Sequence, residues 1–112
     1  MVTSQALAAE TSVARLARFF PEAICTRFPV LLKALSPIDT PADQHVVIEY
    51  GTANEVLFES PVDFEIGDQL QIRNADGSFD ARATVLAVQV EHGMRAVAAR
   101  FNRQMPNWII KP

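Results

Sequence analysis

The side chains able to do chemistry are few and scattered along this chain. There are two histidines, His45 and His92, and one cysteine, Cys25. A structural or catalytic metal needs ligands converging at short, matched spacings, and neither histidine has such a Cys or His partner. No serine sits in a G-x-S-x-G context. The four glycines stand singly among turn residues, so no glycine-rich loop cradles a phosphate. The carboxylates are numerous, but acids on turns and strand faces are ordinarily solubilising charge. No catalytic residue, metal or cofactor is therefore expected, and the protein reads as a non-enzyme. A single cysteine excludes an internal disulfide. Its expected role is that of a small apolar core residue rather than a reactive thiol.

The densest charge feature is a run rather than a cluster. Between Lys33 and Arg73 there is no basic residue, while Asp39, Asp43, Glu49, Glu55, Glu59, Asp63, Glu65 and Asp68 all fall there. Read by itself, the run predicts a solvated acidic surface, which repels phosphate. The chain as a whole carries a net charge of −3 and a pI near 5.3, against nonspecific binding of nucleic acid or acidic membrane. Tyr50 and Phe58 are aromatics of the kind that stack single-stranded bases, but the charge around them has the wrong sign. No nucleic-acid partner is expected.

The elements that must position these residues fit one domain. At 112 residues the chain can bury a single hydrophobic core, and its 49% hydrophobic and 21% charged composition is that of a globular protein. No apolar run is long enough for a membrane span, and the first residues lack a signal-peptide pattern, so a cytoplasmic protein is expected. From Ser4 to Phe20 there is no Gly or Pro, and Leu7, Val13, Leu16, Phe19 and Phe20 recur at roughly helical spacing. Thr3 or Ser4 is the expected cap, and Leu16, Phe19 and Phe20 are the expected stripe packing on the core. Pro21 ends or redirects this helix.

Beyond Cys25 the pattern turns to strand. Phe28, Val30 and Leu32 alternate with Leu31 and Lys33, and Pro29 marks an edge or a strand start. Ser36–Asp43 is a loop. Val46–Tyr50, Val56–Glu59, Leu70–Arg73, Phe79–Val90 and Met94–Phe101 follow as strands. Turns fall at Gly51–Asn54, Gly67-Asp68, Ala75-Asp76-Gly77-Ser78 and Glu91-His92-Gly93. Strands at this spacing after one helix predict a compact antiparallel β-barrel with a helical appendage. The tail carries Trp108 and Ile110, expected either to cover an open barrel edge or to form an exposed partner-docking patch.

The order of elements from Arg27 to Phe101 resembles the PilZ domain, a bacterial β-barrel family known as receptors for cyclic di-GMP. Five segments carry the likeness: Arg27-Phe28-Pro29-Val30; Thr52 to Ser60; Phe64 to Ile72 around Gly67-Asp68; Ala83 to Val88; and the closing Val97-Ala98-Ala99-Arg100-Phe101. The resemblance implies a mainly β fold, a small six-stranded antiparallel barrel over residues 27–102. It follows an N-terminal helical segment, 1–26, and precedes a tail, 103–112, packing on the barrel.

The family's nucleotide motifs are altered. Its R-x-x-x-R segment places two guanidinium groups on the ligand; Arg27 matches the second, and Ala23 stands at the first. Its D/N-x-S-x-x-G segment, aligned on Val56-Leu57-Phe58, falls on Tyr50, Thr52 and Glu55. Thr52 keeps the hydroxyl, but Glu55 puts a Cβ and a negative charge where glycine lets backbone approach ligand. Opposing charge of this kind costs several kcal/mol when partly desolvated, on the order of a thousandfold in affinity. The expectation is a non-catalytic PilZ-like signalling or adaptor domain working through a protein partner, with Trp108, Glu55 and Glu59 as contact residues. The alternative is a cyclic di-GMP receptor with a divergent site built from Arg27, Thr52 and Asn54.

Overall fold

β-Branched and aromatic residues at alternate positions build a closed sheet. The computed structural model describes residues 11–36, 43–105 and 108. A short helix α1, Ser12–Ala17, precedes six strands: β1 Ile24–Ser36, β2 Gln44–Gly51, β3 Glu55–Glu59, β4 Gln69–Arg73, β5 Asp80–Glu91 and β6 Met94–Phe101. All neighbours pair antiparallel, in the order β1-β2-β3-β6-β5-β4, and β4 closes back on β1. The expected small six-stranded antiparallel barrel is the fold observed. No described helix is long and apolar enough to cross a membrane.

The period-2 pattern sends one face of every strand inward. Val30, Leu32, Val46, Ile48, Val56, Phe58, Leu70, Ile72, Val85 and Val97 fill the interior. Phe58 is fully buried there, so it is not a surface stacking platform. A second, smaller core forms outside the barrel. Val13 and Leu16 of α1 pack on Leu57, Ala96 and Ala98, with Tyr50 and Ala87 at the margin. The alanines matter because their short side chains let a helix lie close to the sheet. Each fully buried Val or Leu contributes about 1.5–3 kcal/mol.

The helix differs from its expectation at both ends. Within the described residues it starts at Ser12, because Thr11 in extended conformation caps it, its side chain accepting the Ala14 N–H at 3.0 Å. The expected caps Thr3 and Ser4 lie outside the described residues. At the other end it stops at Ala17, so Phe19 falls beyond the last turn and is 75% exposed. Leu16 and Phe20 reach the core, and Phe19 does not.

Cys25 also departs from its expected place. It is exposed, because β1 is irregular between Cys25 and Phe28 and the alternation does not run through. Arg27 sits in that bulge with φ 50°. Pro29 behaves as expected of an edge. β1 pairs with β2 over Ile24–Leu32 but with β4 only from Leu31 onward, so the proline lies where β4 is not alongside.

Two turns follow directly from their residue types. Asp76-Gly77 lies in the β4–β5 connection, with Gly77 at φ 78°. His92 and Gly93, at φ 53° and 79°, are the two central residues between the paired Glu91 and Met94. Positive φ at both centres is the type I′ geometry that matches strand twist.

Candidate functional site

The turn joining β2 to β3 is where the nucleotide motif aligns, and several of its polar groups are already engaged. The Thr52 hydroxyl accepts the N–H groups of Asn54 at 3.1 Å and Glu55 at 2.9 Å, and donates to the Glu55 carboxylate. The Thr52 N–H bonds the Glu55 carbonyl at 2.9 Å, and the Phe101 N–H bonds the Asn54 carbonyl at 2.9 Å. Thr52 is buried, so its hydroxyl is a capping group for the turn and not a surface donor. The other Glu55 oxygen accepts Arg100 Nε at 3.1 Å and Nη2 at 2.9 Å, a forked pair across the β3–β6 ladder.

Trp108 covers this turn from the outside. Its indole N–H donates to the carbonyls of Thr52 at 2.9 Å and Ala53 at 3.2 Å. The ring lies over Gly51, where an added Cβ would stand 2.6 Å from the indole Cη2. Phe28, Phe79 and Phe101 surround it with ring centroids 6.3, 6.0 and 5.2 Å away. The barrel has no open edge for Trp108 to cover. The residue instead seals one mouth of a closed barrel and is half-buried there. Ile110, expected to act with it, lies outside the described residues.

No protein-family model matches this chain, and no curated protein and no solved structure matches it significantly. Function is therefore argued from the site itself.

Arg27 belongs to a different surface from the turn. It is exposed in the β1 bulge, which Thr26 braces by donating to the Ile48 carbonyl at 2.8 Å. Its charge acts on Glu49 of the neighbouring strand. Among the described residues no hydrogen bond or ion pair joins Arg27 to Thr52 or Asn54. Asn54 is exposed, and Glu59 is exposed on β3. Partial burial, and then the charge of Glu59, push the Glu49 carboxyl above its ordinary value. A hydrogen bond with Thr11 and the charge of Arg27 offset part of this.

The acidic run does not form one acidic surface. Asp43 pairs with Arg73, and Glu55 pairs with Arg100. Asp68 is buried, where its Oδ2 accepts the Glu65 N–H at 2.8 Å and fixes the β3–β4 loop. Glu49, Glu59, Asp63 and Glu65 remain as the outward acids of the described part of the run. Cross-strand pairing supplies arginines that a linear run does not reveal.

A groove of about 380 Å³ opens where β1 loses its β4 neighbour, lined by Phe28–Leu31, His45 and the Asn74–Asp76 turn. Asp76 is held ionised by hydrogen bonds from the backbone and side chain of Ser78. The groove brings one imidazole and one turn carboxylate to an apolar floor, without a nucleophile between them. Among the described residues no three metal-ligating side chains converge. The residues that sequence reasoning missed are Gly51, Phe28, Phe79 and Phe101, which frame Trp108, and Arg100, which holds Glu55. Only Arg100 left a signal, as a base on the strand neighbouring an acid.

Proposed function

We propose that this chain is a PilZ-like, non-catalytic signalling or adaptor domain that acts through protein contacts and does not bind cyclic di-GMP. One observation carries the reading: the turn at which the family would read its nucleotide is saturated from within. Its threonine hydroxyl is spent on the turn, its glutamate on Arg100, and two of its carbonyls on Trp108. A ligand arriving there would have to break these bonds before making its own. The closed six-stranded barrel is consistent with the resemblance.

A second reading has its own support. Arg27 is an exposed non-glycine residue at φ 50°, and backbone strain of about 1–3 kcal/mol of this kind gathers at functional positions. A cyclic dinucleotide held by Arg27 and by the exposed side chain of Asn54, on the turn itself, would be a divergent receptor site. A thermal melt with cyclic di-GMP separates the two. The first reading predicts an unchanged Tm at millimolar ligand, and a ligand-dependent rise that disappears in Arg27→Ala would favour the second.

A further inference from the structure

The groups around Trp108 also contact one another. Phe79 meets Phe28 at 5.5 Å and Phe101 at 6.0 Å between ring centroids, both edge to face, so the three rings brace one another. The carbonyls of Thr52 and Ala53 belong to a turn fixed by the Thr52 hydroxyl and the Phe101 N–H. Gly51 supplies a flat floor, since a Cβ would come within 2.6 and 2.7 Å of two indole carbons. Walls, floor and acceptors are all parts of the barrel, and only the ring comes from beyond its last strand. Such a slot reads three properties at once: flatness through Gly51, aromatic edges and faces through the phenylalanines, and an N–H donor through two carbonyls. A ring lacking that N–H would leave the part-buried Thr52 carbonyl without its donor.

We infer that this mouth is a preformed recognition slot for an indole side chain, occupied in cis by Trp108, and that a tryptophan on a partner segment binds by displacing it. The inference rests on the protein-contact reading and gives the partner a chemistry. Preorganisation favours it, because walls that need no rearrangement spend little of the binding energy on ordering. A residue tethered just beyond Phe101 competes at an effective concentration of about millimolar, so a partner must bring further contacts of its own. Trp108 is only half-buried.

The test uses the full chain carrying Trp108→Ala, titrated calorimetrically with indole and with 1-methylindole. Indole is expected to bind at about millimolar or tighter and to raise Tm. 1-Methylindole, which cannot donate from its ring nitrogen, is expected to bind about fivefold more weakly or worse. Gly51→Ala added to this variant should abolish binding, and the wild type, with its slot filled, should bind indole about tenfold more weakly. Trp108 is the only tryptophan, so its indole N–H gives one resonance in the spectrum of labelled wild-type protein. Unlabelled indole should move that resonance toward the position of a solvated ring, a readout that survives even if Trp108→Ala does not fold. A folded variant that binds neither ring, or both equally, overturns the inference, and so does a wild-type resonance that stays in place at saturating indole. A wild-type dimer lost in both Trp108→Ala and Gly51→Ala would make a second copy the occupant and overturn the partner assignment. Nucleotide binding alongside intact indole binding would sink the adaptor reading and leave the slot standing.

Discussion

The two mouths of the barrel are closed by different kinds of segment. At one, the β3–β4 loop tucks Phe64 into the core, 3% exposed, and ties itself down through its own residues. Ser60 bonds Val62 in both directions, Asp68 caps Glu65, and Gly67 at φ 97° donates to the Val85 carbonyl at 2.9 Å. At the other, the closing ring is Trp108, which joins no strand and is held by two hydrogen bonds and three phenylalanines. A plug in a loop between two barrel strands, each paired on both sides, is bound into the cooperative unit. A plug beyond the last strand can leave without unzipping anything. On the proposed reading, the first mouth serves stability and the second serves exchange.

The comparison can be broken by removing each plug in turn. Phe64→Ala should cost about 3–4 kcal/mol, because it empties a buried aromatic site that the fixed loop cannot collapse into. In denaturant melts this appears as a large drop in midpoint. Trp108→Ala should cost less, about 2 kcal/mol, since the ring is half-buried and the turn beneath it stays bonded to itself. Equal losses from the two substitutions would remove the distinction.

Gly51→Ala sharpens the same point. Its methyl would overlap the indole and should cost about 1–2 kcal/mol in the wild type. With Trp108 already replaced by alanine, the added cost should largely vanish. A double-mutant cycle therefore reads the contact directly, and additive losses would mean that the glycine is needed for something other than the ring.

The smallest effect concerns the helix-covered face, where two acids titrate in opposite senses. The folded pKa of Glu49 lies above its unfolded value, so its contribution favours folding at low pH and is lost as pH rises through the folded value. Glu91, hydrogen-bonded by Arg15, is lowered; its contribution is present above the unfolded pKa and lost as pH falls through the folded one. Glu49→Gln should raise Tm at pH 7 by about 1–2 °C after solvent screening, and the gain should shrink toward pH 4. A gain of the same size at both pH values would show that the charge is not responsible.

The strands and turns were legible because their signals are local. Alternation at Phe28, Val30 and Leu32 gave β1, the proline gave its edge, and Asp76-Gly77 and His92-Gly93 gave two connections. The departures arise where a strand bulges locally or where a contact joins residues distant in sequence. Cys25 was read as core, but a bulge at Arg27 turns it out. The acidic run looked uniform, but Arg73 and Arg100 reach back into it from strands further along the chain. Of the apolar end, residues 108–112, the described Trp108 is half-buried against the barrel. That it would rest on Gly51, and on the turn carrying Thr52, could not be read from spacing, since nothing in one strand announces a ring arriving from beyond another.

The central claim is that the β2–β3 turn is saturated by its own bonds and by Trp108, and so does not receive a nucleotide. Calorimetric titration of the full chain with cyclic di-GMP tests it most directly. The account predicts no binding heat up to millimolar ligand, in the wild type and in Arg27→Ala alike. Micromolar or tighter binding that is lost in Arg27→Ala would contradict it.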